Sequence, residues 1–574
     1  MKQNETGMSR RDFMKGVGVA LGGVAAATTL GVYATNPETA AAETTAEMQA
    51  RVGMPESAKP IPPVAPPAQW DFEADVVVCG AGMSGLMSAC KAKDTGASVI
   101  ALEKNAIPGG DGQWAEATVS NIPEMPAFHN FLRIDEGMLT PMGGKNHRLQ
   151  FKMWSRWPAM LDYLQGDIGV LLTLNPDALG GRAAVGSYSE YYNEGFLGQG
   201  VVVPAVPVSP EYPDDIHRWH PHEARGYTNA MYRYALKQGV DIKLSTPLTT
   251  LVTDGGRVVG VKAKDNKNGG KDIFVKAKTV ILATGGIVAN RPMIEYYTPP
   301  EKLRFISKYA GMNSATGDGH RVAQGVGGFL EEMANFDIWD GGVDDPSYVN
   351  GPRAVYTAAN QLARQKSLSV NLLGKRFTDE ARYSGNCYTY NGYQKSYQLD
   401  STSFTLFDAN CISEEDIIAK FEPLACEYPT PWFKQDFERQ LKAGIIMKAD
   451  TIEALAGMMG VDAAALKATV DRYNSLCDKG EDTDMAKNPK YLIPIKTAPF
   501  YAIKEVGGIY WHHGGGVVYN ESLQVVNERY LPIPGLYVAG ENGRTLCQVA
   551  NALGSGYLAG ENAAREAQGK PVEF

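Results

Sequence analysis

The sequence predicts an α/β fold whose ordered body begins near Ala74 with a Rossmann-like β-α-β unit. Three observations predict it. Asp75-Val76-Val77-Val78-Cys79 is a short apolar run of the kind that forms a buried parallel strand. Gly80-Ala81-Gly82-Met83-Ser84-Gly85 follows and opens a helical stretch to about Lys93. Ser98-Val99-Ile100-Ala101-Leu102-Glu103 is a second strand that closes on an acid, so the unit spans about thirty residues.

Each part of that unit has a chemical reason. Gly80, Gly82 and Gly85 allow a tight turn and the close approach of a pyrophosphate to a helix N-terminus. Glu103 stands where a ribose hydroxyl needs an acceptor.

What precedes the unit reads as export and tether. Ser9-Arg10-Arg11-Asp12-Phe13-Met14-Lys15 fits the twin-arginine export pattern. The uncharged stretch Gly16 to Pro37 is long enough to span a bilayer, but its glycines make it a poor permanent anchor. Ala40-Ala41-Ala42 offers a small-residue cleavage site. Residues 1–42 are therefore expected to be a signal peptide; an uncleaved membrane tether is the alternative. The expected location is outside the cytoplasmic membrane, in the periplasm or extracytoplasmic envelope, with the twin-arginine translocase as partner during export. That route carries folded proteins, so a cofactor can be loaded before transport. Pro60, Pro62, Pro63, Pro66 and Pro67 predict a stiff, extended linker over residues 43–73.

Composition narrows the class. A chain of 574 residues has room for two or three domains. A net charge of −9 without a basic stripe argues against a nucleic-acid partner. The seven cysteines include no C-x-x-C, so no c-type haem or cysteine-rich iron–sulfur site is expected, and no metal site is assigned.

Three later segments narrow the nucleotide to FAD. Lys104 leads into Pro108-Gly109-Gly110. Val280-Ile281-Leu282-Ala283-Thr284-Gly285-Gly286 is a late strand ending in a glycine turn. Gly535 to Glu541 is another strand and turn, through Gly540, and Asn551-Ala552-Leu553-Gly554-Ser555-Gly556-Tyr557 follows it as a helix N-terminus. There, amide donors can face the flavin's pyrimidine edge. Gly109, Gly110, Gly285, Gly286, Gly540, Glu541, Asn551, Ser555, Gly556 and Tyr557 thus join Gly80, Gly82, Gly85 and Glu103 as expected cofactor contacts. Binding is expected to be non-covalent.

With Thr316-Gly317-Asp318-Gly319-His320, Gly374-Lys375-Arg376-Phe377-Thr378-Asp379-Glu380, Arg472-Tyr473-Asn474 and Ala498 to Ile503, these blocks resemble the fumarate reductase and succinate dehydrogenase flavoprotein family. The resemblance is particularly to its soluble single-chain branch, which includes flavocytochrome fumarate reductases, urocanate reductases and 3-ketosteroid dehydrogenases. The resemblance runs from about Ala74 to Ala567. It implies an FAD domain split in sequence, residues 74–330 and 506–574, with an α+β capping domain inserted at 331–505 and the active site between them. Thr451 to Asp478 reads as two helices within the cap.

The resemblance also implies hydride transfer at flavin N5, and it shows what this chain has changed. The position of the family's acid arginine is Ser384, and that of its carboxylate-clamping arginine is Ala552. Other family ligand positions fall near Ala359, Asn360, Ala363 and Trp339. A dicarboxylate buried without those arginines would leave unpaired charge. Arg382, Tyr383, Tyr388 and Tyr390 stand beside Ser384, and Tyr383 or Arg382 is the expected proton donor. Surface tyrosines of a loop are the alternative. Trp511-His512-His513-Gly514-Gly515 matches the family's histidine before a glycine turn, leaving open which of His512 and His513 corresponds, or whether either is only structural.

The reaction expected is reduction of an activated C=C bond of a small organic acceptor other than fumarate. The alternatives are a 3-ketosteroid-type dehydrogenase running oxidatively and a non-catalytic flavin electron carrier. No haem module is recognisable, so electrons are expected from a separate donor such as a cytochrome or a membrane quinol-linked protein.

Overall fold

The computed structural model describes residues 53–114, 119–120, 149, 152–153, 155–170, 172–175, 201–204, 225–303, 308–309, 313–339, 343–344, 354–355, 366–381, 394–395, 397–411, 438–506, 509–544 and 549–572. The expected signal, residues 1–42, lies outside the described residues. Among those described, no helix is long and apolar enough to cross a membrane.

The predicted β-α-β unit is present: β1 (Phe72–Cys79), α1 (Met83–Asp94) and β2 (Val99–Leu102). After α2 (Arg225–Lys237) come β3 (Asp241–Lys243), β4 (Leu248–Asp254), β5 (Arg257–Asp265) and the long β6 (Lys271–Leu282). Helices α3 (Arg291–Tyr297) and α4 (Asp318–Gly325) follow. About two hundred residues later, β13 (Gln524–Val526) and β14 (Pro532–Val538) rejoin the same sheet, and α7 (Val549–Ala567) is the last helix.

The sheet has eight strands, with β13-β14-β6-β1-β2-β3 in order and β4-β5 attached to β6. β1 pairs in parallel with β2 on one side and with β6 on the other, and β14 pairs in parallel with β6. The chain thus leaves β1 to one side and returns on the other. The crevice at such a reversal, beyond the carboxyl ends of the strands, is where doubly wound sheets bind ligands. Cys79 faces Leu282 in register, and Val538 pairs with the same Leu282. Three chain turns therefore open into one place.

That convergence requires backbone without side chains. Gly80 takes a φ of 109°, and a Cβ there would overlap the carbonyl oxygen of Ala283. A Cβ on Gly85 would overlap the Gly80 carbonyl. The first glycine makes the turn, and the third lets α1 pack onto it.

The inserted segment builds a second layer with its own core. Its strands are β8 (Leu368–Asn371), β9 (Thr402–Asp408), β10 (Ile446–Ala449) and β11 (Phe500–Val506), in the antiparallel order β8-β9-β11-β10. Helices α5 (Ile452–Met459) and α6 (Ala463–Lys479) cover it, so Thr451 to Asp478 does form two helices. Thr451 and Asp462 cap them by accepting from Ala454 N (3.1 Å) and Ala465 N (2.7 Å), and left-handed Gly460 and Gly480 end them. Where the chain enters and leaves this layer, β7 (Phe336–Trp339) runs antiparallel to β12 (Ile509–His513). Leu330–Glu331 pairs likewise with Gly516–Val517.

Inside the second core sits a buried charge cluster. Arg376 Nη2 reaches Glu380 (2.8 Å) and Asp482 (2.8 Å), while Lys487 Nζ lies 3.3 Å from Glu380 and donates to Tyr473 OH at 2.9 Å. Burial pushes the Glu380 carboxyl up, but Lys487 and Arg376 outweigh it and hold it below the usual carboxylate range.

β1 starts at Phe72, two residues before the expected start near Ala74. Residues 53–71, within the stretch expected as a stiff, extended linker, lie against the body: Val64 N donates to Leu251 O and Val64 O accepts from Thr253 N, each at 3.0 Å. Proline stiffness is real there, but it holds a docked segment extended rather than spanning solvent.

Replacing Glu380 by Gln should strand buried cations and destabilise the protein by about 3–5 kcal/mol. The depressed carboxyl stabilises the fold fully above its unfolded pKa of about 4.3 and less as pH falls through the folded value. Denaturant midpoints of wild type and Glu380→Gln should therefore differ at neutral pH and converge in acid.

Candidate active site

A cavity opens at the carboxyl ends of β1, β2 and β6. Its middle is Gly80, Gly82, Met83 and Ser84, the N-terminus of α1. Gly82 is the N-cap and makes no side-chain cap bond. The first amides of α1 therefore face the cavity in the arrangement that binds phosphate groups.

Glu103 lines the cavity just beyond β2. Its Oε2 accepts from Ala81 N and its Oε1 from Asn105 N, each at 2.8 Å. Burial raises its pKa, opposed by those two amides and by Lys104. A carboxylate has about four acceptor positions, so two amides leave capacity for a diol. Asn105, Leu248, Ser314 and Ala315 complete this end. Lys104, also in the wall, donates to Thr316 Oγ1 (2.7 Å) and Asp318 Oδ2 (2.8 Å).

At the other end stand Thr284, Gly285, Glu541, Val549 and Ala552. Thr284 Oγ1 donates to Asn542 Oδ1 (2.8 Å) and accepts from Gly319 N (2.9 Å). Asn542 Nδ2 lies 3.3 Å from His320 Nδ1. This net ties the ends of β6 and β14 to the start of α4. Gly286 is outside the lining but necessary to it: a Cβ there would stand 2.7 Å from the Glu541 carboxyl carbon. A bare helix N-terminus and a carboxylate with spare acceptor capacity, in the wall of one cavity, fit the FAD expected from sequence.

Of the expected contacts, Gly80, Gly82, Glu103, Gly110, Gly285 and Glu541 line the cavity. Gly109 acts next to it, donating from N to Ala81 O at 2.8 Å. Gly85 packs against the Gly80 turn, and a Cβ on Gly540 would strike Ser84. Ser555 and Asn551 fix the turn rather than line the cavity: Ser555 Oγ accepts from Gly540 N (3.0 Å) and donates to Asn551 O (2.5 Å).

Gly556 and Tyr557 are not among the residues that line the cavity. A Cβ on Gly556 would lie 2.5 Å from Ser84 O, and Gly556 O accepts from Ser88 Oγ at 3.1 Å. This glycine belongs to the tight crossing of α7 over α1. Tyr557 turns to the opposite side, with Lys91 Nζ 4.3 Å from its ring centre and Tyr163 edge-on at 5.7 Å. Sequence reasoning missed Asn105, Thr284, Ser314 and Asp318. The quoted Thr316–His320 block contained a signal for the last of them.

The expected catalytic residues are less fully placed. Arg382, Tyr383, Ser384, Tyr388 and Tyr390 lie outside the described residues, as do Ala359, Asn360 and Ala363. The chain leading to them is held by Glu380, whose Oε1 accepts from Ser369 N at 3.0 Å. His512 and His513 belong to β12, opposite Asp337 and Phe336. The register slips between Asp337 and Ile338, leaving Trp511 as the extra residue of a bulge. Bulges re-aim strands beside functional sites. The following turn is tight, since a Cβ on Gly515 would overlap Glu332 O.

Comparison with known proteins agrees with this geometry. The family model for the FAD binding domain matches residues 75–558. The chain is 26% identical over 512 residues to a vinyl phenol reductase of Lactiplantibacillus plantarum, covering 86% of this chain and 96% of that protein. It is 29% identical over 513 residues to a cytochrome-type fumarate reductase of Shewanella frigidimarina, covering 86% and 77%. Its fold matches the 3-ketosteroid delta1-dehydrogenase of Sterolibacterium denitrificans with a TM-score of 0.62 at 22% identity, covering 87% and 100%. The chain therefore belongs to the FAD-binding flavoprotein family of the fumarate reductases, and it is an FAD-dependent oxidoreductase acting on carbon–carbon bonds.

Proposed function

We propose that this enzyme reduces an activated C=C bond, one conjugated to a carbonyl or an aromatic system, and that fumarate is not its substrate. The observation that carries this is Ala552. It lines the flavin end of the cavity at the position where the family resemblance puts a carboxylate-clamping arginine. A methyl group cannot pair an acceptor's carboxylate. Arg544, just after the Gly540 turn, is already engaged with Glu331. The relative named for vinyl phenol is consistent with an acceptor lacking two carboxylates.

Within this reading, Glu103 accepts from the ribose, the α1 N-terminus faces the pyrophosphate, and the Thr284–Asn542 net holds the flavin end. Held non-covalently by these residues, FAD would supply the hydride chemistry at its N5. Tyr383 or Arg382 delivers the proton, while His512, His513 and Trp511 orient the acceptor. Electrons arrive from a separate donor such as a cytochrome or a quinol-linked protein. The protein works outside the cytoplasmic membrane after twin-arginine export.

Acid precipitation should leave FAD in a yellow supernatant; flavin kept in the pellet would mean a covalent bond. Arg10→Lys together with Arg11→Lys should hold the precursor in the cytoplasm, visible by fractionation, and normal export would end the twin-arginine assignment. Dithionite-reduced enzyme should be reoxidised faster by a neutral or monocarboxylic enone or vinyl arene than by fumarate, followed in the flavin absorption band. With an acceptor so identified, loss of the true donor in Tyr383→Phe or Arg382→Ala should slow turnover by ~10²–10⁴-fold with an unchanged flavin spectrum. Fast fumarate turnover would overturn the argument from Ala552.

A further inference from the structure

We propose that residues 53–64 are a strap that forms part of the cofactor site, so that its docking and FAD binding stabilise each other, with Asn290 as the positioning residue between them. The proposal rests on the assignment of the cavity to FAD.

The strap has three holds, and each lies behind a different piece of the cavity wall. The first is apolar. Ala58 is fully buried in a small core with Ile287, Val288, Met293, Ile294 and Ala315, and Ala315 also lines the cavity. The second is a hydrogen-bond chain. Ser57 Oγ donates to Asn290 Oδ1 at 2.9 Å, and Asn290 Nδ2 donates to both Ser57 O (2.8 Å) and Thr316 O (2.9 Å). Thr316 Oγ1 in turn meets Lys104 and Asp318, both in the wall.

The third hold is on the elements that begin at the wall. Arg321, on the helix that starts at Asp318, donates to Lys59 O (2.9 Å) and Glu56 O (3.0 Å), while its own carbonyl accepts from Ile61 N (2.9 Å). A Cβ on Gly325 of that helix would overlap Ile61 O, so the strap lies directly on the helix backbone. Thr250 Oγ1 donates to Pro62 O at 2.8 Å, on the strand that starts at the wall residue Leu248.

A tether that only connects would not bury a side chain or span three wall elements. Removing the strap would expose the core behind Ala315 and cut the link from Asn290 to solid structure on its far side. The wall would then fluctuate between cofactor-ready and open forms. Any ligand that prefers the ready form must, by linkage, also favour the docked strap.

The test uses the flavin-loaded full chain with a specific protease site inserted at the exposed Ala65–Pro66 bond. After cutting, FAD release on dilution, read as recovered FAD fluorescence, should be roughly 5–150-fold faster than from the uncut protein. Stripping FAD from the uncut protein should, reciprocally, lower the hydrogen-exchange protection of the Ile61 and Val64 amides. Ala58→Asp, confirmed as folded by circular dichroism, should release FAD as the cut protein does; if it does not fold, the cut protein decides alone. Unchanged FAD release after cutting, or amide protection indifferent to FAD, overturns the strap. An uncut protein that carries no FAD overturns the cavity assignment, and the strap with it.

Discussion

The constraint on which the rest of the structure depends is the clearance at Gly80. β1 and β6 are neighbours in register, so the residues after Cys79 and Leu282 must turn within contact distance of each other. Only a residue with no Cβ and a positive φ can pass the Ala283 carbonyl there. Once it does, α1 starts three residues later and directs its uncapped amides into the crevice. A side chain at Gly80 would move that helix off the sheet, and the anion site would go with it.

A second requirement follows from the long insertion. The flavin end of the cavity needs β14, which arrives more than two hundred residues after β6. The structure meets this by giving the inserted layer its own apolar core and by pairing strands where the chain enters and leaves it. The insertion can then be long without disturbing the register of the main sheet. Thr284, Asn542 and Gly319 join the three returning segments, so the wall is held by hydrogen bonds between residues remote in sequence.

Polar groups in the two layers serve different ends. Near the cavity, Glu103 satisfies two amides and retains acceptor capacity toward the ligand. In the inserted layer, Arg376, Glu380, Asp482 and Lys487 pair with one another in a buried cluster, with Arg376 Nη1 left without a hydrogen bond. Such a cluster contributes little net stability over an apolar equivalent, but its geometry is demanding. It holds the chain immediately before Arg382 and Tyr383, the residues proposed to transfer the proton. On the proposed function, Ser384 and Ala552 in place of the family's arginines change what the site can bind.

The sequence by itself determined the sheet's nucleotide-binding core. Its local signals are strong because each depends on neighbours in the chain: an apolar strand, glycines at close spacing, and an acid at the next strand's end. The two helices of the inserted layer were also legible in the sequence, over Thr451 to Asp478. Glycines further on were ambiguous. Gly286 makes room for Glu541, whereas Gly556 makes room for a helix, and a sequence shows only that space is needed. Whether that space is for a ligand or for backbone is decided by what packs opposite, which for Gly556 is Ser84, some 470 positions away. The same holds for residues 53–64, whose prolines specify an extended chain and say nothing of where it lies. Their docking was settled by the burial of Ala58 and by an asparagine and an arginine on distant elements, contacts that exist only once the tertiary fold brings those elements together.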